Sequence, residues 1–257
     1  MSERPTPLRD LLTAVQFLTR IPIPAQPFDA GSLGRAVAWF PVVGVLVGAV
    51  GATVDRVLLG HLGPVVAALA AVATTVLLTG ALHEDGLADA ADAFGLMRSR
   101  ERTLTIMRDS RIGTFGGCAL VFSLVSRILL IGGLSVRDIF PALIAAHVLG
   151  RWSTLPLTRL PPARESTDSG APGLGAQVAQ VVSRRGLVLG SIASLVLAFA
   201  ALRTQAIAPV CAALGVTAAT GLFYRRRLGG VTGDCFGATN QLVEIAVLAC
   251  LAWHRAA

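Results

Sequence analysis

The sequence predicts an all-α fold, a polytopic membrane helical bundle of about seven transmembrane helices with an N-terminal interfacial helix. Three observations carry this. Of 257 residues, 54% are hydrophobic and 14% charged, against about a quarter charged in an average soluble domain. Ala36–Val54, Leu62–Leu82 and Thr204–Tyr224 are charge-free runs of 19, 21 and 21 residues, and a helix needs about 20 apolar residues to cross a bilayer. The arginines, finally, gather on alternate connections between the apolar runs. An ordinary soluble globule is excluded.

Taken in order, residues 8–21 place Leu8, Leu11, Leu12, Val15 and Leu18 on one helical face, with Arg9, Asp10, Gln16 and Arg20 off it. That pattern suits a helix lying on the membrane, and Pro22 and Pro24 end it. Pro5, Pro7 and the later prolines interrupt any secretory leader. Spans follow at about 36–54, 62–82, 114–136, 139–158, 186–202, 204–224 and 236–254, all in one integral-membrane catalytic domain over 1–257 that includes the 1–35 segment. With the N-terminus inside, sixteen arginines fall on inner connections. Arg56, Arg137, Arg203 and Arg255 fall outside, and Arg127 and Arg151 lie within spans. This obeys the positive-inside rule. All 22 basic residues are arginine, giving a net charge of +7; in a membrane chain that excess reads as topology and not as nucleic-acid binding. The four cysteines read as free, buried, small apolar residues. Residues 163–176, rich in Ser, Gly, Pro and Ala, read as a mobile loop.

Seven of the 15 carboxylates fall in three short motifs at the inner ends of spans: HEDGLADAADAFG (83–95), MRDSRIGTFGG (107–117) and GDCFGATNQLVE (233–244). In the first, Asp85, Asp89 and Asp92 lie within about 60° on one helical face, and Glu84 points elsewhere. Aligned carboxylates repel unless a cation binds or their pKa values rise, and oxygen-only donors suit Mg²⁺, Mn²⁺ or Ca²⁺. A solvated polar face is the alternative. In the second, Arg108 and Arg111 beside Gly113, Gly116 and Gly117 favour a phosphate at a helix N-terminus, or else membrane anchoring and tight packing. In the third, Asp234 enters the last span. Asn240 and Glu244 follow inside it, and Glu244 must pair, with Arg127 or Arg151, or face a polar cavity. His147 and Arg151 share a stripe, and His83 is either an interfacial histidine or a base. Acids and arginines at one mouth of a bundle suggest metal-dependent transfer of a phosphate-bearing group.

FLTRIPIP (17–24), HEDGLADAADAFG, RDSRIGTFG (108–116) and GDCFGATNQLVE, in this order across nearly the whole chain, resemble the cobalamin synthase family, the adenosylcobinamide-GDP ribazoletransferases. The resemblance implies an Mg²⁺-dependent inner-membrane enzyme with its active site facing the cytoplasm. It would join adenosylcobinamide-GDP and α-ribazole, or α-ribazole 5′-phosphate, and release GMP. Its partners would be these substrates and the lipid bilayer, with no nucleic acid, and association with other enzymes of the pathway is left open. It makes Glu84, Asp85, Asp89 and Asp92 metal ligands, with Asp109, Asp234, Asn240 and Glu244 as supporting groups. Arg108 and Arg111 would hold the diphosphate, and Asp89 or Asp92 would take the proton of the ribazole 5′-hydroxyl. The acidic motif is also similar to that of the CDP-alcohol phosphotransferases, although Asp89 stands where they carry an arginine. A prenyltransferase would bring a second D-x-x-x-D set, which Asp234 alone does not supply, and a transporter would place its acids near mid-span.

Overall fold

The computed structural model describes residues 6–24, 30–96, 99–109, 111–163, 178 and 182–256. Among these residues the fold is helical, with a single β-bridge between Pro162 and Val231. Apart from Ala163, the segment 163–176 lies outside the described residues.

The amphipathic N-terminal stretch forms α1 (Pro7–Leu18), capped by the Thr6 hydroxyl, which accepts from the Arg9 N–H at 3.3 Å. An Arg35–Asp10 ion pair at 2.9 Å ties it to α2 (Ala30–Ala36). After one 3₁₀ turn the chain enters α3 (Phe40–Leu62), then α4 (Pro64–Thr79). The acidic motif forms α5 (Leu82–Gly95), which does not continue α4 as the sequence suggested but turns from it by 90°. Two consecutive left-handed residues, Gly80 (φ 64°) and Ala81 (φ 57°), make that turn. Glycine is required at the first of them. Its φ is positive and the Arg20 side chain lies where a Cβ would stand.

Four further helices build the bundle: α7 (Thr114–Gly132), α8 (Ile139–Trp152), α10 (Arg184–Leu202) and α11 (Ile207–Leu228). The short α6 (Arg100–Met107) and α9 (Thr154–Leu157) link them, and α12 (Gly233–Ala256) ends the chain. By length and apolarity four stretches can cross a membrane, Gly31–Leu62, Thr114–Gly132, Arg184–Leu228 and Gly233–Trp253, and five if α4 and α5 are one broken span. This is fewer than the seven expected, because α4 and α8 are short, 16 and 14 residues. The 45-residue stretch Arg184–Leu228 is a hairpin: Gly190 on α10 packs against Leu155, and Gly221 on α11 against Leu157. The chain reverses in the 3₁₀ turn at Arg203–Ala206, where Arg203 has φ 55°.

The arginine pattern is realised in space. Arg184 and Arg185 at the start of α10, Arg225, Arg226 and Arg227 at the end of α11, and Arg100, Arg102, Arg108 and Arg111 around α6 lie at one end of the bundle. Arg56, Arg137 and Arg203 lie at the other. All four cysteines are free, but Cys118 and Cys211 point outward and only Cys235 is fully buried. The apolar surroundings they need are supplied there by the bilayer in place of the protein core.

Helices α3 and α8 cross most closely. A Cβ on Gly44 would stand 2.5 Å from the His147 carbonyl oxygen, and one on Gly48 would stand 2.6 Å from that of Leu143. Backbone cannot yield as a side chain can. Gly48→Ala should therefore cost about 1–3 kcal/mol and lower the melting temperature in detergent. Gly60→Ala, on the same helix with nothing within 4 Å of the added methyl, should leave it unchanged or slightly raised.

Candidate functional site

The site is organised around α5, whose four carboxylates take four directions. Glu84 turns inward. It is 6% exposed, and its Oε1 accepts from the Arg127 guanidinium of α7 at 2.9 Å. Arg127 also reaches Glu244 Oε2 at 3.5 Å. On the other oxygen, Glu244 Oε1 meets His147 Nδ1 at 2.8 Å and the Arg151 guanidinium at 3.1 Å. Glu244 thus pairs with both arginines between which the sequence could not choose, and the His147–Arg151 stripe is its partner surface. The group is buried throughout and holds two carboxylates against two guanidiniums. Asn240, one turn before Glu244, is 0% exposed, and neither side-chain polar atom has a hydrogen-bond partner.

The metal-ligand reading of Glu84 meets a correction of place: its carboxylate lies in the interior network and not with the other acids of the motif. Asp85 is exposed at the bundle end and shares with Asp234 the lining of a cavity of about 320 Å³. What brings them together is a contact invisible in the motifs. Gly86 and Gly237 face each other where α5 crosses α12, each so close that a Cβ would stand 3.2 Å from the other's Cα. Thr232, whose hydroxyl accepts from the Cys235 N–H at 3.4 Å and donates to Asp234 at 3.3 Å, caps α12 and holds that aspartate at the crossing.

Asp89, one turn on, is half-buried, and its carboxyl is pushed up to about 7. Burial is the first cause, followed by the charges of Asp234, Asp85, Asp92 and Asp109. Four other aspartates therefore bear on Asp89 at this end of the bundle. Burial, with Arg151 next, pushes His83 down to about 3 and leaves it neutral at the cavity wall.

Asp92 has a task that the sequence did not reveal. Its Oδ2 accepts from the Gly113 N–H at 2.7 Å and its Oδ1 from the Gly116 N–H at 2.9 Å. It caps α7 from a neighbouring helix, and a Cβ on Gly113 would collide with it at 2.5 Å. The glycine-bared N–H groups read as a phosphate cradle are thus taken by a carboxylate of the same protein. Arg111 grips Asp109 through two nitrogens, the shorter contact 2.6 Å, in an exposed loop. Those hydrogen bonds hold Asp109 down at about 2. Arg108 lies exposed beside them.

Among the described residues no three of His, Cys, Asp and Glu converge as a ready metal shell. The donor chemistry nonetheless fits a hard divalent cation. The acids at the mouth are all oxygen donors, and their mutual repulsion, registered at Asp89, is what such an ion relieves.

The sequence profile of the cobalamin-5-phosphate synthase family matches residues 10–252. The chain belongs to this family. Curated relatives named adenosylcobinamide-GDP ribazoletransferase include one from Rhizobium etli, 41% identical over 95% of this chain and 96% of the relative. One from Sinorhizobium medicae is 43% identical over 95% of each, and one from Klebsiella pneumoniae is 38% identical over 95% and 99%. No solved structure matches the chain. The cobalamin-5-phosphate synthase match takes in every motif that builds the acidic mouth.

Two substitutions separate framework from chemistry here. Glu244→Gln leaves Arg127 and Arg151 buried without their full counter-charge and should cost about 3–5 kcal/mol, seen as loss of folded protein on size exclusion in detergent. Asp92→Asn keeps one of two backbone hydrogen bonds and should cost about 1–2 kcal/mol, seen as a lower melting temperature with EDTA present. An unchanged melting temperature would deny Asp92 its capping role.

Proposed function

We propose that this protein joins adenosylcobinamide-GDP to α-ribazole or its 5′-phosphate, releasing GMP, in the last step of adenosylcobalamin synthesis. The observation that carries the reading is the acidic mouth: Asp85, Asp89 and Asp234 are assembled by the α5–α12 crossing inside a chain that matches the ribazoletransferases end to end. The relatives' printed name supplies the substrates, and the carboxylates beside an arginine loop supply the chemistry of phosphoryl transfer.

In this reading a ribazole hydroxyl attacks the phosphorus attached to cobinamide and GMP departs. The expectation that the 5′-hydroxyl attacks is corrected by the product: adenosylcobalamin 5′-phosphate keeps its phosphate on that carbon, so a ring hydroxyl of the ribose is the nucleophile. Asp89 is the group suited to accept its proton, since a carboxyl at about 7 is poised near working pH. Asp92 is not, because both its oxygens already accept backbone N–H groups. Asp85 and Asp234 would hold magnesium, which when bound would supply positive charge where the attacking hydroxyl meets the phosphorus. Arg108 and Arg111 would meet the diphosphate once Arg111 exchanges Asp109 for it.

The same reading sets the chain in the cell membrane, with the arginine-rich end and the active site toward the cytoplasm. It gives seven passes, through α3, α4, α7, α8, α10, α11 and α12, in a single catalytic domain. The hairpin at Arg203–Ala206 supports that number by folding the longest apolar stretch in two.

The test is turnover in liposomes, with GMP release and corrinoid product followed by chromatography. Native protein with magnesium should give product, and EDTA or Asp85→Asn should lower the rate by at least a hundredfold. A base must be ionised to act, so the rate should rise with pH through about 7 and level off above 8. Added magnesium should move that midpoint to lower pH, because a nearby cation favours the carboxylate. Asp89→Asn should remove the pH dependence along with most of the rate. A rate flat from pH 6 to 8 at limiting magnesium, where the midpoint stands nearest 7, would exclude Asp89 as the base.

A further inference from the structure

The lining of the cavity shared by Asp85 and Asp234 combines two chemistries. Phe17 from α1, Phe40 from α3 and Phe236 from α12 supply aromatic hydrocarbon. Phe17 and Phe40 are stacked, their ring centres 5.6 Å apart at 15°. His83 and Asp85 from α5 and Asp234 from α12 supply polar groups. No arginine is among the described lining residues.

Three parts of the two substrates compete for such a space. At about 320 Å³ the cavity lies at the low end of small-molecule sites, roughly 300–1,000 Å³, and a corrin macrocycle with its amide side chains is too large for it. A guanosine diphosphate would set a polar purine edge against phenyl rings that cannot hydrogen-bond it, and no described arginine of the lining meets its phosphates. A benzimidazole nucleoside meets neither objection: its base is flat and apolar on one side, and its ribose carries hydroxyls on the other.

We propose, on the functional reading above, that this cavity is the ribazole subsite, the base packed against Phe236 and Phe17 and the ribose turned toward Asp85 and Asp234. The length of α5 fits this placement. Asp85 borders the cavity and Asp92 abuts the loop that carries Arg108 and Arg111, seven residues or about 10 Å further along the helix. Asp89 stands between them. The nucleoside thus enters at one end of α5 and the diphosphate at the other, with the proton acceptor at the meeting point. Phe236 and Phe17 then determine specificity for the base and have no part in holding the diphosphate.

The experiment is equilibrium binding of α-ribazole and of adenosylcobinamide-GDP, measured separately by calorimetry with purified detergent-solubilised protein. The proteins compared are the native chain, Phe236→Ala, Phe17→Ala and, on a partly exposed face of α11 outside this cavity's lining, Phe223→Ala. Removing a ring from beneath a stacked base should weaken α-ribazole binding about tenfold or more. Phe236→Ala and Phe17→Ala should show this while retaining adenosylcobinamide-GDP affinity, which also shows that they are folded, and Phe223→Ala should change neither. Native protein that binds α-ribazole while both cavity variants bind it equally well would overturn the subsite and leave the reaction standing. A loss confined to adenosylcobinamide-GDP would overturn it too, and give the cavity to the other substrate. Native protein that binds neither compound would overturn the subsite together with the functional reading.

Discussion

Glu244 sits midway along an apolar helix, 2% exposed, and most of the molecule's order follows from how its charge is met. An ionised carboxylate in hydrocarbon is tolerated only against paired charge, and here two guanidiniums and an imidazole from two other helices close on it. That fixes the rotation of α7, α8 and α12 about their own axes. Lipid chains offer helices little reason to choose one face over another, whereas a buried charge allows only one. Arg127 carries the constraint further, because its second partner is Glu84. The network therefore ends on α5, one residue from Asp85, and the interior ion pairs position the outer acids without touching them.

The four carboxylates of α5 divide their labour by helical angle. Each residue advances about 100°, so Glu84 and Asp85 face different worlds although they are neighbours in sequence. One is held by Arg127 in the core and the other opens on the cavity. Asp89 and Asp92 return to the side of Asp85, but Asp92 has moved far enough along the axis to reach the start of α7. Holding α5 at its first turn by Glu84, in its middle by the Gly86–Gly237 crossing and at its last turn by Asp92 leaves it little freedom to tilt. A helix so fixed can keep several like charges close together, which a free one would relieve by moving.

Much of this was legible in the sequence. The apolar runs gave the long helices, the arginines gave the two ends, and the isolation of Glu244 demanded arginine partners that the structure supplies. The break between α4 and α5 was not legible, since the run Thr79–Gly80–Ala81–Leu82 offers no proline and only one glycine. The second left-handed residue, Ala81, has no local propensity to announce it. The capping role of Asp92 was not legible for a related reason. Its acceptors and the glycines of 113–116 lie in separate motifs, each of which suggests a ligand when read alone. Together they satisfy each other. Gly86 and Gly237 gave no signal either, because a close helix crossing is a property of two segments 151 positions apart.

The capping by Asp92 and the crowding around Asp89 have a common electrostatic logic. A helix N-terminus carries partial positive charge, and spending it on Asp92 removes that carboxylate from the competition for a cation while keeping its negative charge nearby. Asp89 feels that charge together with those of Asp85, Asp234 and Asp109. The protein thereby builds a place where negative charge is dense, anchored and only partly neutralised. Such a site suits a reaction whose nucleophile must give up a proton beside a phosphate. The arginines of the loop that Asp92 abuts bring the opposite charge, about 10 Å further along α5 from Asp85, so the length of one helix holds the two charges apart.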